Sequence, residues 1–191
     1  MVSSMLPDIH SFCIILLKAI LQYLQNSLLC FSKMNIRPFE KEDLDMTAEV
    51  HKAAFARQNM SHEWVECNSK AYPKSQIYVA ENEAKEIVGY IHWCQKSGFR
   101  PEVVLELEQL AVHPSYQGKG LGTKLVKESL PQVQKQLITR NAKIKHIVVT
   151  TRADNYAQNL YRKTLNAEVE ATISNLYSAD EVFMISRNIK F

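Results

Sequence analysis

The chain has 191 residues, 46% hydrophobic and 23% charged, with only 5 Gly and 6 Pro. That composition fits one compact domain with an appendage at most, and excludes collagen-like, low-complexity and wholly disordered readings. Lys plus Arg number 23 against 20 Asp plus Glu, and a net +3 is too small an excess for a dedicated nucleic-acid binder, whose affinity rests on many phosphate contacts. The cysteines Cys13, Cys30, Cys67 and Cys94 are scattered, with no CxxC pair and no His at zinc-finger spacing. They predict reduced thiols in a cytoplasmic protein, with neither a disulfide framework nor a metal site.

In chain order, residues 12–31 come first. They are apolar but broken by Lys18, Gln22, Gln25, Asn26 and Ser27, short of the uninterrupted run that a membrane span needs, and no basic residue precedes them as in a secretory signal. Leu17, Leu21, Leu24, Leu28 and Phe31 recur at helical spacing, which predicts an amphipathic helix. Three readings fit it: a docking or homodimerisation helix, a membrane-surface helix, or an extension before a translation start at Met34. The third is adopted, dividing the chain into an extension at 1–33 and a domain at 34–191.

Asn35–Phe39 predicts a strand, and Glu42–Phe55 an amphipathic helix with Leu44, Thr47, Ala48, His51 and Phe55 on one face. Ser61 is placed to cap a short helix that stops before Tyr72-Pro73. Gln76–Ala80 and Ile87–Trp93 form a predicted hairpin. Val103–Val112 follows as a long strand with Glu106, Glu108, Leu110 and Val112 on one face and Leu105, Leu107, Gln109 and Ala111 on the other. A helix runs from Gly120 to Leu130, where Pro131 should kink or restart it. Lys145–Thr151 is a strand, Asn155–Lys163 a helix, and Val169–Ser174 with Glu181–Ile189 a closing hairpin. The sum is an α+β fold, one mixed sheet of about seven strands flanked by about four helices.

The richest chemistry lies where the long strand turns into the next helix. Gly118, Gly120 and Gly122 free backbone N–H groups beside a helix N-terminus, with Lys119 and Lys124 alongside, and together these make an anion cradle. The spacing fits neither the Walker pattern, since Thr123 separates Gly122 from Lys124, nor the dinucleotide fingerprint. A glycine-rich turn without a ligand is the bland alternative.

The stretch Val112-His113-Pro114-Ser115-Tyr116-Gln117-Gly118-Lys119-Gly120-Leu121-Gly122 resembles the Q/R-x-x-G-x-G/A signature of the GNAT superfamily of acetyl-coenzyme A dependent N-acetyltransferases. Asn155-Tyr156-Ala157-Gln158-Asn159-Leu160-Tyr161-Arg162-Lys163 is similar to that family's N-x-x-A-x-x-L-Y-x-K block. The resemblance spans Asn35 to Ile189. It implies that Gln117, Gly118, Lys119, Gly120, Leu121, Gly122 and Thr123 bind the pyrophosphate of acetyl-CoA, that the backbone of Leu110, Ala111 and Val112 pairs with the pantetheine arm, and that Asn155 reaches the pantetheine or a helix-loop amide. Where the family commonly continues from the tyrosine block into Gly-Phe, this chain has Leu165-Asn166-Ala167.

Acyl transfer to an amine needs a group that takes a proton, because a lysine-type amine is mostly protonated at pH 7. Glu108, nearer the strand end, is the first candidate base and Glu106 the second, both at places where family members carry a glutamate. Solvated or ion-paired carboxylates are the alternative for both. Tyr161 would protonate the departing thiolate, against the alternative of a packed helix-face tyrosine. His92, Trp93, Cys94 and His113 read as core or loop, and Met46, Met60 and Met184 as packing. The acceptor is a primary amine, on a small molecule or on a peptide, and Asn175–Met184 resembles the last hairpin of the protein N-terminal acetyltransferase branch. The reading from a different class is a non-catalytic acyl-CoA-binding or interaction module.

Overall fold

A computed structural model describes residues 14–18, 20–21, 34–187 and 189. The chain falls into two units, Met1–Met34 and Asn35–Phe191. In the first, residues 14–18 and 20–21 are helical, and Ile14, Ile15, Leu16, Leu17, Ile20 and Leu21 are all exposed. Leu24, Leu28 and Phe31 of the expected stripe lie outside the described residues. Among the described residues, no helix is long and apolar enough to cross a membrane.

The second unit holds seven strands, β1 (Asn35–Pro38), β2 (Ser75–Glu81), β3 (Ile87–Gln95), β4 (Glu102–Val112), β5 (Lys143–Arg152), β6 (Glu168–Ile173) and β7 (Glu181–Arg187). Its helices are α1 (Leu44–Ala54), α2 (Ser61–Ser69), α3 (Leu121–Ile138) and α4 (Gln158–Leu165), with 3₁₀ turns at Lys41–Asp43 and Pro114–Tyr116. The strands form one sheet in the order β1-β2-β3-β4-β5-β7-β6, antiparallel except for the β4–β5 pair. The expected element order holds throughout.

β2 is buried along its whole length and β3 almost so, because the sheet is covered on both faces. On one face Val50 of α1 packs with Ile77, Val79, Ile87, Tyr90 and Ala111. On the other, Trp93 Nε1 donates to Ser129 Oγ of α3 at 2.8 Å, with both residues fully buried. Pro38 sits on the edge strand β1, where a missing N–H costs the ladder least. The opposite edge, β6, is exposed at every position, and its Glu170 pairs with Arg187 at 2.9 Å.

Three local expectations are corrected. Pro131 neither ends nor restarts its helix, since α3 runs unbroken from Leu121 to Ile138. Leu125 and Val126 before the proline and Val133 and Leu137 after it are all buried, so core packing on both sides outweighs the lost hydrogen bond. Ser61 is the first residue of α2 and not its cap, a place taken by Met60 in the left-handed region. The Ser61 hydroxyl instead meets His51 Nδ1 at 2.8 Å. Finally, α4 begins at Gln158, because Asn155 is used in the turn before it.

Candidate active site

β4 is the strand on which the site is built. Its pairing with β5 stops at Glu106↔Val148, after which β5 continues alongside β7 as far as Arg152. From Leu107 to Val112 the β5-facing edge of β4 therefore has no strand partner among the described residues. An extended ligand can add itself there as a strand would.

A bulge in the same stretch redirects the side chains. His92 pairs with Gln109 but Trp93 pairs with Leu107, which leaves Glu108 as the extra residue. Leu110 faces α3, because a Cβ on Gly122 would lie 3.5 Å from Leu110 Cδ2. Glu106 sits opposite Cys94 and on the other face, since the alternating neighbour Trp93 points to Ser129 of α3. The expected common face of Glu106, Glu108, Leu110 and Val112 is thus broken between Glu108 and Leu110, and the two glutamates point together toward the α1–α2 side.

Glu106 is nearly covered, its side chain 13% exposed, and its Oε2 lies 2.7 Å from Lys96 Nζ. Glu108 is exposed to solvent yet partly desolvated. Desolvation, and after it the neighbouring charge of Glu106, push its carboxyl above the ordinary carboxylate range. Beside it Gln109 Oε1 accepts from both Trp64 Nε1 (2.8 Å) and Tyr90 Oη (2.7 Å), and Gln109 Nε2 reaches His51 Nε2 at 3.4 Å. Burial lowers the His51 pKa, so this ring is neutral at pH 7. Gln109, His51, Trp64 and Lys96 carried no signal in the sequence, since only the sheet brings α1, α2 and β3 to β4.

The glycine loop turns the chain from β4 into α3. Gly118 and Gly120 have φ of +72° and +81°, a conformation that strains any residue with a Cβ. Gly120 is the N-cap of α3, and no side chain bonds to the first-turn N–H groups. These donors and the helix dipole favour an anion at the N-terminus of α3. Gly122 plays a different part. It lies within α3, and a Cβ there would come 3.0 Å from Leu160 Cδ1 of α4, so its small size lets the two helices close. Gln117 Nε2 donates to Val112 O at 2.9 Å and so ties the loop to the strand end. Lys119 Nζ donates to Ser115 O at 3.2 Å, and Lys124 pairs with Glu128 at 3.7 Å. Leu121 is buried and Thr123 lies in the first turn of α3.

Asn155 spends its side chain locally. Its Nδ2 donates to Thr151 Oγ1 at 2.8 Å and its Oδ1 accepts from Ala157 N at 2.9 Å, which sets the entry to α4. Tyr161 on α4 is 6% exposed, and burial pushes its phenol up to about 12. At pH 7 it is therefore a proton donor and not a phenolate. After α4, Asn166 takes the left-handed conformation with φ of +53°, as a side chain able to bond locally can. Ala167 behind it is fully buried.

Because Gly120 holds a positive φ at the mouth of the cradle, replacing it with aspartate adds both backbone strain and a repelling charge. Titration calorimetry is expected to show CoA affinity of Gly120→Asp reduced by at least ~10-fold. An unchanged affinity would place the anion elsewhere.

Comparison with known proteins agrees with this geometry. Residues 73–164 match the family model described as Acetyltransferase (GNAT) domain, a span that contains Glu106, Glu108, the glycine loop and Tyr161. No curated protein sequence matches the chain. Among solved structures, the ribosomal-protein-S18-alanine N-acetyltransferase from Escherichia coli has a TM-score of 0.64 at 19% identity, over 83% of this chain and 99% of its own. A chain of the NatC complex bound to Gag peptide and CoA gives 0.66 at 16% identity, over 82% and 99%. The spermidine/spermine N-acetyltransferase SpeG from Vibrio cholerae gives 0.61 at 18%, over 81% and 92%. At these identities the likeness to the solved structures is one of fold, and the fold is that of GNAT acetyltransferases.

Proposed function

We propose, from the GNAT acetyltransferase domain that this chain carries, that it transfers an acetyl group from acetyl-CoA to a primary amine by direct attack. The observation that carries the reading is the juxtaposition on one strand of a free edge at Leu107–Val112, an uncapped helix N-terminus at its end, and a crowded glutamate at its bulge. The loop 117–122 and the first turn of α3 bind the pyrophosphate, and the backbone of Leu110, Ala111 and Val112 aligns the pantetheine arm. The thioester supplies the activated acetyl group.

Glu108 takes a proton from the ammonium form of the acceptor and leaves a neutral nitrogen that can attack the carbonyl carbon. As the C–S bond breaks, Tyr161 gives its phenolic proton to the departing sulfur, and the proton lost from the new amide nitrogen returns to solvent. Glu106, held by Lys96, shapes the charge around Glu108. We place the reaction in the cytoplasm and leave the acceptor as a small amine or a peptide amine. The solved structures of like fold include enzymes of both kinds by name.

A panel of amines and basic or N-terminal peptides, incubated with acetyl-CoA and followed by thiol release, tests the reading. Release that requires one class of primary amine is the expected result. Tight CoA binding with no release for any amine would instead make the chain a binding module.

A further inference from the structure

Glu106 and Glu108 point to the same side of β4, and one cation lies against them. Lys96 directly follows β3, where its backbone N–H donates to Val104 O at 2.9 Å. Its stem crosses to β4 and places Nζ 2.7 Å from Glu106 Oε2. We propose that Lys96 is a positioning residue for the acetyl transfer: its ion pair with Glu106 fixes a positive charge beside Glu108, and so biases that carboxylate toward the form that takes the proton of the amine. The proposal rests on the reading of Glu108 as the base.

The surroundings of the pair support this assignment. The charged and titratable groups that face it are Lys74 from the turn before β2, His92, Cys94 and Lys96 from β3 and its end, His146 from β5, and His51 of α1 through Gln109. From β5, the strand partner of Glu106 is the apolar Val148. Cys94 carries no charge at pH 7, as burial raises its thiol, and burial keeps the His92 and His51 rings neutral. Two carboxylates are therefore balanced by two lysines, of which Lys96 is the one in direct ion contact.

Neighbouring carboxylates oppose each other's ionisation, and a cation beside them favours it. After desolvation, Glu106 raises the Glu108 carboxyl while Lys96 lowers it, so the two neighbours bias the base in opposite directions. Lys96 itself is held above the ordinary lysine value by the same contact. Its side chain is 48% exposed, so replacing it removes the charge without opening the core.

Two readouts test the role, one of them independent of turnover. Carbon-13 carboxyl NMR of the full chain follows the titration of Glu106 and Glu108, and steady-state kinetics follow the acid limb of kcat/KM. In Lys96→Met the upper titration of the pair and the acid limb are both expected to move up by about 1 pH unit, lowering the rate on that limb about tenfold. In Glu106→Gln they move down, since the neighbouring negative charge is gone. Lys96→Arg restores the wild-type position because the positive charge is kept. An unmoved titration in Lys96→Met, or movement in the same direction as in Glu106→Gln, overturns the proposal. If wild type acetylates no amine, the reading of the site fails, while the NMR titration still decides what Lys96 does to the pair.

Discussion

Glu108→Gln loses most of its activity at low pH and recovers it as pH rises, whereas Tyr161→Phe loses about the same at every pH from 6 to 9. The contrast follows from what each group does. A base is needed only while the acceptor arrives protonated, and the neutral fraction of an amine with a pKa near 10.4 grows tenfold for each pH unit below that value. For Glu108→Gln the deficit is expected to be ~10²-fold near pH 6.5 and to shrink steadily toward pH 9. Tyr161 is buried and its phenol is pushed up to about 12, so it stays protonated across the whole range. Its removal leaves the sulfur to depart as a bare thiolate at every pH, a loss of ~10²-fold in kcat with little change in CoA affinity. Parallel pH profiles of the two variants check both assignments. Two variants with wild-type turnover at all pH values would move attention to Glu106 or to a water held by Gln109.

How far the site was legible in advance depends on how local each feature is. The glycine loop and its helix could be read because Gly118, Gly120 and the helix start are neighbours in sequence, and the backbone demands of a tight turn fix the residue type. The alternation of β4 could be read for the same reason, and Leu105, Leu107, Gln109 and Ala111, the set expected to alternate together, are all buried. The bulge could not, because what creates it is the register against His92 and Trp93, a property of two strands and not of one. Burial along the strand keeps its period of two through the bulge, but the direction that the side chains face does not. Gln109 is a further case. It looked like one more inward residue, yet its partners Trp64 and His51 lie 45 and 58 positions away, and only the packing of α1 and α2 on the sheet defines the network. Pro131 erred in the opposite sense: a strong local rule gave way to the burial of Leu125, Val126, Val133 and Leu137.

Away from the site, the largest expected loss of stability comes from Arg37→Met. Arg37 on β1 is the single cation between two carboxylates, Asp43 of the first 3₁₀ turn and Glu81 at the end of β2. Its Nη1 and Nη2 donate to Asp43 Oδ2 and Oδ1 at 2.6 and 2.8 Å, and Nη2 also donates to Glu81 Oε1 at 2.9 Å. The two acidic side chains are only 4% and 8% exposed, so methionine would leave them facing each other with Lys85 as the one remaining partner of Glu81. Because Arg37 and Lys85 themselves supply much of the cover, the cost belongs at the lower end for a broken buried pair, about 3 kcal/mol, which for a domain of this size lowers Tm by roughly 6–12 °C. The pH dependence gives a second check. The Arg37 hydrogen bond holds Glu81 down to about 2, below its ordinary value of 4.5, so the contribution is complete above about pH 4.5 and fades as pH falls toward 2. Arg37→Met keeps only the smaller part of this contribution, the part that Lys85 supplies. Urea unfolding of both proteins at pH 7, 5 and 3.5 should therefore show a gap that is steady between the first two and narrower at the third. A gap of the same size at pH 3.5 would mean that the arginine acts through the packing of its stem, and that β1 is held to β2 by its backbone ladder without help from the charges.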